Sequence, residues 1–192
     1  ERKHGSDCLY DTIKAQSEKM SRLIAELLEL TRFSEKSKDT ADFRLFSVSE
    51  TVETTLLYFE SRAFESEHSL HLEIAEDLTM YEDALKIERL VGILIDNALK
   101  YADAKTEIQF CLTERNHRIL FTCSNLCSDL TPEQMEHLFD RFYRAEESHS
   151  HQKEGFGLGL SIAQAITQQH KGEISASLQE NRITFTVKLQ KS

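Results

Sequence analysis

Between positions 8 and 33, apolar side chains recur at alternating intervals of four and three: Leu9, Ile13, Met20, Leu23, Leu27 and Leu30, with Gln16 as the polar interruption. No Gly or Pro breaks the stretch. The spacing predicts a helix of about 39 Å, at roughly 1.5 Å per residue, bearing the seam of a coiled coil or antiparallel bundle. Ile24, Leu28 and Thr31 widen the seam into the broader stripe of a helix in a four-helix bundle. The same stripe also suits a core helix of the domain that follows. The polar run from Ser34 to Asp42 has no apolar period and reads as a connector. The division that results is a bundle or coiled-coil helix over 1–34, a linker over 35–42 and a second domain over 43–192.

Within the second domain the period changes several times. Ser47 to Phe64 has helical spacing, with Ser47 or Ser49 as the N-cap, and His68 to Ile74 alternates like a strand. Asp83 to Tyr101 carries the strongest helical pattern in the chain. Thr106 to Thr113 and Arg118 to Asn125 alternate around a turn at Arg115 to His117, which predicts an antiparallel pair. Thr131-Pro132-Glu133-Gln134 is a helix start, with Thr as cap, Pro in the first turn and Gln completing a capping box. That helix is short and ends near Leu138. A last helix over Leu158 to Gln169, with Gly172 beyond it as a stop, precedes strands at Glu173 to Leu178 and Arg182 to Leu189. Helices and antiparallel strands in segregated runs predict an α+β fold built as a two-layer α/β sandwich.

Composition narrows the functional classes. Lys and Arg number 23 against 33 Asp and Glu, and the resulting net charge of −10 argues against a nucleic-acid partner. Six Gly and one Pro leave few tight turns for an all-β chain. No apolar run approaches the roughly 20 residues that span a bilayer. The four cysteines form no CxxC pair and no zinc-type grouping, as expected for thiols in a reducing compartment. A chain that begins at Glu1, without an initiator Met or signal peptide, is expected to be part of something longer.

Two clusters suggest chemistry. At about 100° per residue, Ile87, Leu90, Val91, Leu94, Ile95 and Ala98 share one helical face, and Ile93, Asn97, Lys100 and Tyr101 flank it. An amide, an ammonium and a phenol at the edge of a buried face suit a nucleotide: Asn97 toward Mg²⁺, Lys100 toward phosphate, Tyr101 beside a base. A solvated helix end with a half-buried Tyr would use the same residues. The second cluster, Gly155-Phe156-Gly157-Leu158-Gly159-Leu160, opens the last helix, where glycines admit a ligand and free N–H groups attract an anion. Without a βαβ context a flexible turn would have the same string. Between them, Phe139-Asp140-Arg141-Phe142-Tyr143-Arg144 leads into a polar stretch, Ala145 to Glu154, that reads as a mobile lid. Arg141 and Arg144 are candidate phosphate donors there, or surface ion-pair partners.

Leu94-Ile95-Asp96-Asn97-Ala98-Leu99-Lys100-Tyr101, the Phe139 to Arg144 segment and the Gly155 to Leu160 segment resemble, in order and spacing, the N, F and G2 boxes of sensor histidine kinases. The resemblance implies a Bergerat-type ATP-binding sandwich, preceded by the second helix of a dimerising hairpin that Met20 to Leu30 fits closely. It implies that Asn97 ligates Mg²⁺, that Lys100 contacts phosphate, that Tyr101 lies against adenine and that the Gly155 to Gly159 loop closes on the phosphates of ATP. It further implies a homodimer, a response regulator receiver domain as partner, and a cytoplasmic portion of a bacterial sensor anchored in the membrane through upstream segments.

The departures matter as much. Asn125 stands where the family's G1 box has the Asp that accepts from the adenine amino group, and Cys127 and Asp129 replace its glycines. An Asn oxygen accepts without a charge, so weaker binding is expected. Ile93 stands where many members have a first Asn, and His149 where the lid often has Arg. None of the eight His residues precedes Asp or Glu, so the phospho-acceptor helix is expected to be absent. The rival to a kinase is an ATP-sensing or scaffolding pseudokinase with a degenerate G1 box. A gyrase-like or chaperone-like ATPase is disfavoured, because Ile93 takes the place of the Glu such enzymes carry.

Overall fold

The computed structural model describes residues 2–34, 43–144 and 155–191; the linker read over 35–42 and the lid read over 145–154 lie outside the described residues. Side-chain caps set where helices of the second domain begin. Ser47 Oγ accepts the Glu50 N–H at 3.2 Å and starts α2 (Val48–Glu65). Asp83 Oδ1 accepts the Leu85 N–H at 3.0 Å and starts α3 (Ala84–Tyr101). Thr131 and Gln134 exchange both bonds of a capping box at α4 (Pro132–Met135). Each cap satisfies a donor that would otherwise be orphaned, a contribution of about 1 kcal/mol. Ser49, the other candidate for the first cap, is buried inside α2. Its hydroxyl donates to the Ala75 carbonyl at 2.6 Å and accepts from the Leu78 N–H at 3.0 Å.

In chain order the strands are β1 (Arg44–Ser47), β2 (Ser69–Ile74), β3 (Thr79–Glu82), β4 (Glu107–Arg115), β5 (Arg118–Leu126), β6 (Glu173–Gln179) and β7 (Arg182–Gln190), with α5 (Gly159–Gln169) ahead of β6. The main sheet runs β2-β4-β5-β7-β6, and β1 and β3 form a separate antiparallel ribbon. Both ribbon strands are four residues long, too short for alternation to show in the sequence. The expectation of antiparallel strands throughout is corrected at one edge, where β2 and β4 pair in parallel from Ser69 opposite Glu107 to Ile74 opposite Leu112. The crossover through β3 and α3 returns the chain to the same end of the sheet, so the two strands share a direction.

Alternation along the strands divides the sheet into two faces. Ile108, Phe110 and Leu112 of β4, Phe121 of β5, and Phe185 and Val187 of β7 are buried. Gln109, Thr122 and Thr186, one residue out of step, are partly exposed. The buried face packs beneath α2, α3 and α5, and Val52, Leu56, Leu90, Leu94 and Ile162 complete the core. This is a two-layer α/β sandwich with one solvated sheet face.

The N-terminal helix, α1 (Arg2–Ser34), is longer than its apolar stripe and includes His4 and Gly5. One glycine costs a helix about 1 kcal/mol and does not end it. Toward its C-terminal end α1 packs on α5. Leu30 is buried, and Leu23 and Leu27 lie against the core of the sandwich. Ile13, Met20, Ile24 and Leu28 remain exposed. The stripe is therefore divided: Leu23, Leu27 and Leu30 serve the following domain, and Ile13, Met20, Ile24 and Leu28 face outward.

Candidate functional site

Rotating the apolar face of α3 into the core leaves Asn97, Lys100 and Tyr101 half-buried along its edge. There they line a cavity of about 410 Å³, within the roughly 300–1,000 Å³ of small-molecule sites. Ile183 and Phe185 of β7 give it an apolar floor, and Cys127, Asp129 and Leu130 after β5 form a further wall. Asn97 makes no side-chain hydrogen bond to a described residue.

The glycine string closes the cavity from the other side. Gly155, Gly157, Gly159 and Leu160 all line it. Gly157 has φ +71°, and a β-carbon there would stand 2.5 Å from the Tyr143 carbonyl oxygen. Only glycine permits this approach, through which the Phe142 N–H donates to the Gly157 carbonyl at 2.9 Å. A β-carbon on Gly155 would lie 3.9 Å from Lys100 Nζ, so the string runs directly past the ammonium. Leu158 occupies the N-cap of α5 with no side-chain cap bond, which leaves the first-turn N–H groups for an anion.

Three expected residues fall outside the lining. Asn125 is 1% exposed on β5, and its amide N–H donates to the Leu126 carbonyl at 3.0 Å. The strand's alternation sends it inward, and the residues just after it reach the cavity instead. Arg141 is exposed on the turn, whereas Arg144 lines the wall. Leu158 is fully buried in the core beneath the string. The lid position His149 lies outside the described residues.

Reading the sequence missed the charged end of the site. Glu26 of α1, Arg62 of α2, and Arg89 and Asp96 of α3 all line the cavity. Asp96 lies within a quoted motif and Glu26 within the Met20 to Leu30 stretch, neither with a role assigned, and Arg62 sits on a polar face that carries no motif. The Asp96 carboxylate is shared: Oδ1 accepts from Arg62, and Oδ2 lies 2.6 Å from Lys100 Nζ. Arg89 grips Glu29 of α1 through two bonds of 2.9 Å, a bidentate geometry stronger than a single contact. Burial pushes the Glu26 carboxyl above the usual carboxylate range, while the Arg89 and Lys100 charges pull it back. Among the described residues no group of three His, Cys, Asp or Glu is placed to hold a metal. A cation here would rest on Asn97 and on oxygens carried by the ligand, the usual manner of Mg²⁺.

Residues 82–191 match the family described as histidine kinase-, DNA gyrase B-, and HSP90-like ATPase. Sensor protein DltS of Streptococcus agalactiae serotype III (strain NEM316) is 35% identical over 179 residues, covering 93% of this chain and 45% of DltS. This chain thus spans under half the length of that relative. The histidine kinase AdeS of Acinetobacter baumannii shares the fold with a TM-score of 0.78 at 24% identity, over 96% of this chain and 84% of the AdeS chain. Histidine kinase ThkA, solved in complex with response regulator protein TrrA, shares it with a TM-score of 0.71 at 21% identity, over 92% of this chain and 49% of that one. The family match takes in α3, the glycine string and the β7 floor of the cavity; the chain belongs to the histidine kinase-, DNA gyrase B-, and HSP90-like ATPase family.

Proposed function

We propose that this chain binds Mg²⁺-ATP in the cavity and donates the γ-phosphoryl group to a His on a helical hairpin outside residues 1–192, for relay to a response regulator. The observation that carries the reading is the convergence of Asn97, Lys100 and Tyr101 with the glycine string on one cavity of nucleotide size. Tyr101 supplies a flat face for the base, and the apolar floor of Ile183 and Phe185 excludes water beneath it. Lys100, Arg144 and the open N–H groups of α5 receive the phosphates. Asn97 would hold a divalent cation together with oxygens of the ligand, and that cation would supply charge neutralisation at the breaking bond. The γ-phosphorus leaves its bridging oxygen, which keeps the electron pair as ADP departs, and forms a bond to an imidazole nitrogen. The protein's contribution is position and electrostatics.

In this reading the exposed stripe of Ile13, Met20, Ile24 and Leu28 meets a second copy, giving a homodimer. A response regulator as partner follows the example of ThkA with TrrA. No helix among the described residues is long and apolar enough to cross a membrane, and attachment of the parent sensor falls to segments outside this chain. The test is calorimetric titration of Mg²⁺-ATP into the chain and into Asn97→Ala, followed by labelling of a separately supplied acceptor hairpin. Saturable binding that the substitution abolishes, with label on the hairpin His, is expected. Binding without label would overturn the kinase reading in favour of an ATP-sensing module.

A further inference from the structure

Lys100 has two claims on it. In the reading above its ammonium meets phosphate, yet in the structure it lies 2.6 Å from Asp96 Oδ2. Asp96 and Lys100 are one turn apart on α3, and their side chains keep 29% and 25% of their surface exposed. A carboxylate abandoned there, next to an arriving triphosphate, would face like charge in a partly dried site. Arg62 reaches across from α2 to the other oxygen of the same carboxylate.

We infer that Arg62 is a positioning residue for the nucleotide: it retains Asp96 when Lys100 exchanges that carboxylate for phosphate, so the exchange strands no charge. Asp96 is the anion that occupies Lys100 until the phosphates arrive. Arg62 suits the task because a guanidinium keeps its charge at every working pH and holds a carboxylate oxygen in a fixed direction. Arg62 acts on the phosphates only through Asp96. This inference rests on the ATP-binding reading and adds to it a residue on an element that carries none of the quoted motifs.

The roles predict opposite signs. Without Arg62, Asp96 has Lys100 as its remaining partner in this cluster and releases it less readily; without the Asp96 charge, Lys100 is available from the outset and Arg62 has nothing to hold. The experiment is calorimetric titration of Mg²⁺-ATP, and separately of adenosine, into the full chain and its Arg62→Gln, Asp96→Asn and doubly substituted forms. Arg62→Gln should weaken ATP about three- to fivefold, the scale of a partly exposed ion pair, and leave adenosine unchanged. Asp96→Asn should tighten ATP by a similar factor, the double variant should match Asp96→Asn alone, and Arg62→Lys should recover part of the loss. ATP binding indifferent to Arg62→Gln, a loss shared by adenosine, or a loss that persists beside Asp96→Asn would overturn the inference while leaving the nucleotide site intact. Failure of the unsubstituted chain to bind ATP would instead overturn the site itself, and the inference with it.

Discussion

At Gly157 the backbone has no room for a side chain: the obstructing atoms are the Tyr143 carbonyl oxygen at 2.5 Å and the Phe142 carbonyl carbon at 2.7 Å, both rigid main chain. Gly157→Ala adds a strained dihedral to that clash, a cost of about 1–3 kcal/mol. The expected outcome is loss of the bond from the Phe142 N–H, seen as faster hydrogen exchange at that amide; unchanged protection would show that the approach tolerates a methyl group. A different constraint operates at Glu82 and His170, whose Oε2 and Nε2 face each other at 3.5 Å in the core. His170 Nδ1 lies 2.8 Å from the Ile166 carbonyl oxygen. That oxygen only accepts, so Nδ1 donates to it and Nε2 is the ring nitrogen turned toward Glu82. Burial raises the Glu82 carboxyl above its ordinary value, against the pull of the His170 charge. A group whose folded pKa is raised contributes its stability below the unfolded value and loses it as pH climbs through the folded one. Glu82→Gln removes that ionisation, so its stability relative to the unsubstituted chain in urea melts should rise between about pH 4 and about pH 8; a gap that ignored pH would exclude the shift. Asn97, Lys100, Tyr101 and the glycines were legible because one short segment holds each set and its spacing fixes their direction. Arg62 and Glu26 were not, because each reaches the cavity from a helix whose sequence says only that the position is polar.

Elements announce themselves when they are long and capped. α3 could be read to within a residue because its apolar face repeats and Asp83 supplies an acceptor at its start, and the same holds for the capping box at Thr131. β1 and β3 hold no such repeat in four residues each, and the direction of β2 against β4 depends on the path between them rather than on either strand's side chains. α1 shows the limit of a period: the stripe specifies that an apolar partner is present and leaves its identity open. In the structure Leu30, 3% exposed, belongs to the sandwich, and the Glu29–Arg89 grip fastens the same turn to α3. Leu30→Ala removes buried methyl groups worth about 2–5 kcal/mol, a loss falling on the docking of α1 rather than on the sheet. Hydrogen exchange should therefore quicken along the last turns of α1 while β4, β5 and β7 keep their protection. Uniform loss across the sheet would show that helix and sandwich unfold as one unit.

Taken whole, the molecule gathers its site from parts of the chain that sequence alone keeps apart: Glu26 from the first helix, Arg62 from the second, the α3 edge and the β7 floor. The sandwich itself could be anticipated from segregated helices and strands, whereas the convergence of those distant parts follows from the layer packing. The strand order adds a consequence in time. β7 lies between β5 and β6, with Val187 opposite Phe121 and Phe185 opposite Cys123. On a ribosome β2, β4 and β5 emerge well before that neighbour, and they wait with an open edge and an uncovered row of aromatic and aliphatic side chains. The floor of the cavity arrives on the same late strand. A growing chain therefore has no complete cavity while its earlier strands are already made, and it gains one only when β7 has left the ribosome, so that closure of the sheet and completion of the cavity are a single event in the life of each new chain.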